Sequence, residues 1–263
     1  MVNGELNDLR ISGSGSAGGG EYSNVSISGS GKINGDIACQ KFSISGSGEV
    51  IGKVKAVDFK ISGSGKVAQD LNCGTGSISG SGKIEGSVQG GKFTISGSGK
   101  ISGDYKGDEF TIHGSAHVGG KVNATNVIVR GAASIQDGIE GESIQISGAV
   151  KTEGMVNGDQ VDISLGGKNE INEIGATKVS VKRGNNCGGF INSIIKLFSG
   201  KEIGHLYSNV IEADEIYLEN TDAEVVRGSR ITIGEGCNIK KIEYKETLIK
   251  EDKNSVVNEE IKL

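Results

Sequence analysis

The sequence predicts an all-β chain that winds as a parallel β-helix of triangular cross-section, with about 17 residues in each rung. The zero proline count in 263 residues agrees, because proline would remove a ladder hydrogen bond in nearly every rung. Within one repeat, apolar residues such as Phe42 and Ile44 lie two apart, which is strand spacing. The main observation is a strict 17-residue period that places Ile or Val at Ile27, Ile44, Ile61, Ile78, Ile95, Ile112, Val129, Ile146 and Ile163.

Three short strands joined at glycine corners fit 17 residues in each rung. We expect the corners to need backbone angles that glycine adopts most easily. One rung buries too few side chains to fold alone, so stability has to come from stacking successive rungs about 4.8 Å apart. The predicted corner glycines form two columns: Gly48, Gly65, Gly82 and Gly99, and Gly35, Gly52, Gly86, Gly103, Gly120 and Gly154.

The period divides the chain into five segments. An N-terminal lead covers residues 1–8, and the regular β-helix covers 9–183, where we count eleven rungs from Ile11 to Val181. The step lengthens to 18 between Ile163 and Val181, and an irregular insertion at 184–209 follows. Less regular rungs are expected at 210–249. The charged, aperiodic tail at 250–263 is expected to be disordered.

The insertion contains one predicted helix, near residues 189–199. Its apolar residues recur at helical spacing, between flanking glycines. One interpretation is a helix that packs on the β-helix, and the other is a helix that docks on a membrane surface or a protein partner. The residues assigned to this helix are Phe190, Ile191, Ile194, Ile195 and Phe198.

Charge and cysteine content restrict the class of protein. Residues 201–263 carry 14 acidic and 9 basic residues and so account for the whole net charge of −5, which does not suit nucleic-acid binding. The start of the sequence has no secretory signal, and no apolar stretch is long enough to span a bilayer. Cys39 and Cys73 lie two rungs apart, about 9.6 Å by rung spacing, which is too far for a disulfide. We therefore expect buried reduced thiols and a cytoplasmic protein.

No catalytic, cofactor-binding or metal-binding residues are assigned, and an enzyme is not expected. The SGSG strings lack the helix that must follow a phosphate-binding loop. His113 and His117 could meet at the surface, but no third metal ligand recurs beside them. A serine ladder and a lysine stripe also follow the repeat; the stripe comprises Lys32, Lys66, Lys83 and Lys100 and is broken by Glu49.

The ends of the β-helix are the predicted interaction sites. A parallel β-helix exposes unpaired strand edges at both ends, which natural proteins either cover or use for polymerisation. The candidate polymer interface comprises Leu9 and Ile11 at the N-terminal end and Ile231, Ile233 and Ile239 at the C-terminal end.

The repeat elements ISGSGKINGDI and ISGSGEVIGKV resemble those of the bactofilins, the bacterial polymer-forming cytoskeletal proteins, over roughly residues 9–181. The motifs VVRG and IGxGCxI, within residues 212–246, resemble the C-terminal extension of a longer Gram-positive branch of that family. The resemblance implies a right-handed triangular β-helix, nucleotide-free assembly into non-polar filaments, and scaffolding in cell shape, envelope synthesis or motility. Many bactofilins also have Pro-rich tails and an apolar N-terminal membrane segment, which this sequence lacks.

Two functional hypotheses follow. The first is a self-assembling cytoskeletal scaffold that forms filaments by end-to-end stacking, with other copies of the chain as its partners. The second is a non-polymerising platform that recruits a membrane surface or a protein partner, such as an envelope or motility protein, through the 189–199 helix or the C-terminal rungs. Neither hypothesis involves a cofactor or nucleic acid. Both place the protein in the cytoplasm, with membrane association as an added option.

Overall fold

A computed structural model describes residues 6–184 and 204–263 as a parallel β-solenoid of about 14 turns. The regular secondary structure of these residues consists of 21 β-strands. The chain divides into two compact units, Met1–Thr125 and Asn126–Leu263. The parallel β-helix predicted from the 17-residue period is confirmed.

The strands have the following bounds. In the first unit they are β1 (Leu9–Ile11), β2 (Gly15–Ile27), β3 (Ser30–Ile44), β4 (Ser47–Val50), β5 (Val54–Ile61), β6 (Ser64–Val67), β7 (Leu71–Ile78), β8 (Ser81–Ile84), β9 (Val88–Ile95), β10 (Ser98–Ile101), β11 (Tyr105–Ile112) and β12 (Ser115–Val118). The unit boundary falls within β13 (Val122–Val129). The second unit continues with β14 (Ala132–Ile135), β15 (Ile139–Ile146), β16 (Ala149–Leu165), β17 (Lys168–Arg183), β18 (His205–Leu218), β19 (Thr221–Ile233), β20 (Asn238–Lys250) and β21 (Val256–Lys262).

Each regular turn of the first unit consists of one eight-residue strand and one four-residue strand. The long strand β5 pairs in parallel with β7, so that Val54 lies beside Leu71. The short strand β6 pairs with β8 in the same way, so that Ser64 lies beside Ser81. Both pairings advance by 17 residues, and each residue therefore stacks on its counterpart in the next turn.

The long strand forms two walls of the turn because it bends at its middle. In β5, Val54 and Ala56 face the core, Val57 and Asp58 both face outward, and Phe59 faces the core again. Two successive outward residues reverse the alternation that a flat strand would keep. The chain therefore turns a corner inside the strand. The predicted third strand of each rung is the second half of this bent one.

The core is a narrow stack of aliphatic residues with a few aromatic rings. Phe42 and Phe59 stack with their ring centroids 5.3 Å apart. Gly76 occupies the next position in that column, and a Cβ atom there would lie 2.3 Å from the Phe93 ring. The ring of Phe93 thus fills the space that Gly76 leaves, which keeps the interior closely packed.

The glycine columns act differently from the prediction. Among the described members of the two predicted corner columns, only Gly35 has a left-handed φ, +114°. Gly65 faces the core instead, where an added Cβ would lie 3.0 Å from the Ile61 side chain. Another column lets neighbouring backbones approach closely: a Cβ on Gly63 would lie 2.3 Å from the carbonyl oxygen of Gly46. The sequence showed where glycine recurs. Most of these positions need glycine because a Cβ atom would not fit, and not because the backbone has a left-handed φ.

The second unit keeps parallel pairing while its step varies. Ile163 pairs with Val181, which confirms the predicted step of 18. Ile216 pairs with Ile231, a step of 15. These C-terminal turns were expected to be irregular, but β18, β19 and β20 pair over almost their whole length. Corners of different length accommodate the changing step.

Two sequence predictions require correction. The fold class included a short amphipathic helix, whereas no helix occurs in residues 6–184 and 204–263; the segment assigned to it, 189–199, lies outside the described residues. The tail at 250–263 was expected to be disordered, but Val256–Lys262 forms β21 and pairs with β20. The charge of the tail and its loss of periodicity suggested disorder. The open edge of β20 nevertheless offers backbone hydrogen bonds to β21, and these bonds do not depend on the side-chain pattern.

We predict that Gly63→Ala lowers the free energy of unfolding by about 1–3 kcal/mol, because the new methyl group would overlap the backbone of the neighbouring turn. Gly13 is the matched control, since it begins the same column and a Cβ there meets nothing within 4 Å. Urea unfolding followed by circular dichroism measures both variants. Equal losses for Gly63→Ala and Gly13→Ala would contradict the close-approach explanation.

Candidate interaction site

The N-terminal end of the first unit presents a strand edge. β1 pairs with only the last three residues of β2, Val25–Ile27. The first part of β2, Gly15–Tyr22, pairs with β3 on one side and with no described strand on the other. Its sequence is GSAGGGEY, so few side chains shield the free N–H and C=O groups. Such an edge is a template for pairing with another chain.

The core-facing positions at this end are apolar. Leu9, Ile11 and Ala17 pair with Val25, Ile27 and Ile33, whose side chains are fully buried. Ile11 is itself buried at the edge of the core, while Leu9 and Ala17 remain half-buried. The structure thus places Leu9 and Ile11 at the end of the unit where the sequence put them.

A small polar cluster lies beside the apolar end. The Asn24 side-chain amide donates to Asp8 at 2.8 Å, and the Arg10 guanidinium donates to the same carboxylate at 3.0 Å. These two contacts, with Asn24 the larger cause, hold the pKa of Asp8 below its usual value. The N-terminal end therefore combines an apolar centre with a charged rim, as protein interfaces do.

The predicted C-terminal interface residues lie in the core. Ile231, Ile233 and Ile239 are at most 1% exposed. β20 covers β19, and β21 covers the first half of β20, so further chain separates these residues from the end of the unit. They are therefore removed from the candidate surface. The error arose because the residues after 249 were taken as a disordered tail.

The other predicted site falls where the structure gives no description. All members of the predicted helix, namely Phe190, Ile191, Ile194, Ile195 and Phe198, lie outside the described residues. The described chain stops at residue 184, just after β17, and is described again from residue 204, just before β18.

Arg183 forms a clamp that the sequence analysis missed. Its guanidinium donates from Nε and Nη2 to Asn220 Oδ1, at 3.1 and 2.9 Å, and from Nη1 to Glu235 Oε2 at 2.8 Å. Its backbone N–H donates to the Glu219 carboxylate at 2.7 Å. Asn220 has a left-handed φ of 43°, which asparagine tolerates better than most residues. The clamp joins three successive turns at one corner, and no short motif in the sequence indicates it.

An open groove of about 590 Å³ follows one wall of the second unit. Tyr207 lies in it, with Lys168 Nζ 5.1 Å from the ring centroid. Asn209 donates to Asn172 at 2.6 Å. Hydrogen bonds from Lys168, and then from Lys151, lower the pKa of Glu170. A general acid that works near neutral pH needs a raised pKa, so the lowered pKa of Glu170 fits an ion pair better than that role.

The predicted lysine stripe on the first unit is largely neutralised. Glu49 lies 3.6 Å from Lys32 and 3.2 Å from Lys66, and Glu85 lies 2.6 Å from Lys83. Glu49, which interrupts the lysine column in the sequence, therefore forms ion pairs with the lysines on both sides of it. Exposed pairs of this kind contribute little to stability.

The three described cysteines are free thiols in hindered positions. Cys39 is half-buried, whereas Cys73 and Cys237 are buried. Cys39 pairs with Ala56 and Ala56 with Cys73, which confirms the separation of two turns. Burial raises the pKa of Cys39 to about 11 and that of Cys73 to about 12. Such thiols are mostly protonated near neutral pH and react slowly.

Within residues 6–184 and 204–263, no three His, Cys, Asp or Glu residues are grouped so that they could hold a metal ion. Nor do these residues include a helix long and apolar enough to cross a bilayer.

Comparison with known proteins gives one partial relationship. Over 95 residues, or 36% of its length, the chain is 42% identical to the uncharacterised protein YhbF of Bacillus subtilis (strain 168). The match spans only 35% of YhbF, about a third of that protein. No protein-family model matches the chain. No solved structure matches it.

We predict that alkylation of Cys39 and Cys73 at pH 8 is at least about tenfold slower in the native protein than in guanidinium, because little thiolate forms when the pKa is about 11 or 12. Unfolded thiols have a pKa of about 8.5. The folded state therefore holds these protons more tightly than the unfolded state does. The free energy of unfolding should fall as the pH rises from about 9 toward 11, because the unfolded thiols then ionise while the folded ones stay largely protonated. Peptide mapping after iodoacetamide treatment measures the rates, and equal rates in both states would contradict the assignment.

Proposed function

We propose that this protein is a self-assembling scaffold of the cytoskeletal type, similar to the bactofilins, in which copies meet at the ends of their β-solenoids without nucleotide. The observation that carries the proposal is the strand edge Gly15–Tyr22, which pairs with no described strand on its outer side and lies beside the apolar end formed by Leu9 and Ile11. A second copy can extend the parallel stack there by strand addition. It would also bury apolar area that the first turn leaves half-exposed.

The charge distribution along the solenoid walls supports a structural role. Every described carboxyl group whose pKa is clearly shifted is shifted downward by a hydrogen-bonded or charged neighbour; these groups are Asp8, Asp70, Glu85, Glu109, Glu170, Glu215 and Glu243. Carboxylates held in ion pairs suit surface networks between turns. We therefore propose that the protein is not an enzyme and that its working surfaces are its ends. Its partners would then be further copies of the chain, in the cytoplasm.

A non-polymerising binding platform is the alternative. The groove around Tyr207 favours it, because the groove lies on the second unit and gathers one aromatic ring, three side-chain amides and several charges. The two functions differ in the oligomeric state that they require. A platform works as a monomer, whereas a scaffold has to associate.

We predict that the wild-type protein associates at micromolar concentration without nucleotide, and that Ile11→Lys weakens association at least about tenfold, or by about 1.4 kcal/mol. The reason is that a lysine in the contact would have to lose its hydration. Val57→Lys is the matched control, since it adds the same charge at a side chain that is 52% exposed on the wall of the first unit. Sedimentation velocity over a concentration series, with negative-stain microscopy, measures both variants.

Two outcomes would count against this proposal. If folded wild-type protein stays monomeric over the whole series, the scaffold function fails and the platform is favoured. If Ile11→Lys associates as the wild type does, the contact does not lie at the N-terminal end. Circular dichroism shows whether each variant keeps its β-structure.

A further inference from the structure

The groove on the second unit lies between two rows of outward side chains. In each of the successive strands β16 to β20 it is lined by the residues on either side of a core-facing one, as Tyr207 and Asn209 flank the buried Ser208. Its floor is therefore largely backbone. Because neighbouring turns lie about 4.8 Å apart, four steps between five strands make the groove about 19 Å long in the stacking direction. Such a shape fits an extended ligand.

The backbone along the groove is already used by the sheet. Tyr207 pairs with Glu170 of β17 on one side and with Asp222 of β19 on the other. Asp222 pairs in turn with Asn238 of β20. The N–H and C=O groups of these middle strands are engaged in parallel ladders, so a peptide cannot bind there as an added strand. Recognition in the groove has to use side chains.

Tyr207 offers an aromatic surface in the middle of the groove. It is 42% exposed. Lys168 Nζ lies 5.1 Å from its ring centroid, and the His205 ring centroid lies 4.6 Å from it. Neither of these two neighbours lines the groove, so they hold the ring while its groove-facing part stays accessible. A tyrosine side chain has an apolar ring and a polar hydroxyl, which suits a ligand with an apolar face and a polar edge.

Side-chain amides lie on both rows beside the ring. Asn209 donates to Asn172 at 2.6 Å, which orients both amides. Asn238 lies on the same row as Tyr207, two turns further along. An amide has two donor hydrogens and an acceptor oxygen, so each of these side chains keeps bonding capacity for a ligand. Groups that both donate and accept match hydroxyl groups, which also do both.

The lysines of the groove are paired with carboxylates. Lys151 Nζ lies 3.3 Å from the Glu170 carboxylate, and Lys240 Nζ lies 2.6 Å from the Glu224 carboxylate. An anionic ligand would have to compete with these carboxylates for the two ammonium groups. The groove therefore disfavours phosphates and other polyanions.

The other two groove carboxylates keep acceptor sites. Glu153 accepts a hydrogen bond from Gln136 at 2.8 Å, and Asp222 lies 3.2 Å from His205 Nε2. An ionised carboxylate has about four acceptor sites, so one contact leaves others for the hydroxyl groups of a ligand. A cationic peptide is the competing ligand for these two groups.

We propose that this groove binds an extended oligosaccharide of uncharged sugars, with one sugar ring on Tyr207 and the neighbouring hydroxyl groups on the amides and carboxylates. A sugar ring combines an apolar C–H face with a rim of hydroxyl groups, and the groove offers a partner for each. The site does not depend on association of the chain, because it lies on a wall and not at an end. It adds a ligand-binding surface to the ends that the proposed scaffold uses.

Isothermal titration calorimetry of the full chain with cellohexaose, chitohexaose and maltohexaose tests the site. We predict that at least one of these sugars binds with a Kd in the millimolar range or below. Tyr207→Ala should weaken that binding at least about tenfold, because the stacking surface is lost. Tyr217→Ala is the matched control and should bind as the wild type does. Tyr217 also lies in β18, with Lys182 Nζ 5.4 Å from its ring centroid, but it does not line the groove.

The proposal is overturned if none of the three sugars binds at millimolar concentration, or if Tyr207→Ala and Tyr217→Ala weaken binding equally. Binding of hexalysine without binding of any sugar would also overturn it and would make the groove a site for cationic peptides. Should Tyr207→Ala disturb folding, as circular dichroism would show, Asn209→Ala replaces it. We expect Asn209→Ala to weaken binding about threefold through a lost hydrogen bond, and unchanged binding would contradict the proposal.

Sedimentation velocity of the same samples keeps this test separate from that of the scaffold function. A monomer that binds sugar refutes the scaffold and supports the groove. An assembly that binds no sugar does the reverse.

Discussion

In-register stacking of each turn on the one before it is the constraint on which the structure depends. Parallel pairing with a constant step puts isoleucine on isoleucine in the core, and it puts glycine on glycine where backbones approach closely, as at Gly46 and Gly63. A side chain at Gly63 would strike the backbone carbonyl of Gly46, so the two turns could not remain at their observed distance. Hydrogen bonds, core packing and corner geometry all depend on that distance. In the first unit the 17-residue period repeats the same close approach from turn to turn.

Much of the fold could be predicted because the period is strict over most of the first unit. The apolar columns that contain Ile44 and Phe42 identify the buried face without knowledge of the strand bounds. The role of individual glycines could not be read in this way. Gly35 and Gly65 were both predicted to be corner glycines, yet one adopts a left-handed φ and the other makes room for Ile61. Only the positions of neighbouring turns distinguish the two cases.

The candidate site was predictable at one end only. Leu9 and Ile11 lie in the first turn of the repeat. The outer edge of a first turn is open unless other residues cover it. At the other end the period changes to 15 before it is lost, so the last turn could not be located from spacing. Ile239 was taken for an end residue, although β21 lies beyond it. The register that brings Lys250 Nζ within 2.6 Å of Glu260 Oε1 depends on the corner lengths, and no local motif encodes those lengths.

The bent corner inside the long strands has a consequence for how such a chain tolerates changes in length. Val57 and Asp58 both face outward, so residues added between them would loop into solvent and leave the inward alternation on either side in phase. The second unit shows a natural case: the pairing of β16 with β17 changes from a step of 19 to one of 18 between Thr152 and Met155 without loss of the sheet. Corners therefore absorb insertions and deletions that a flat strand would convert into a change of face. A peptide tag or a fluorescent label is best placed at such a corner, where it can report on the protein without altering its stacking.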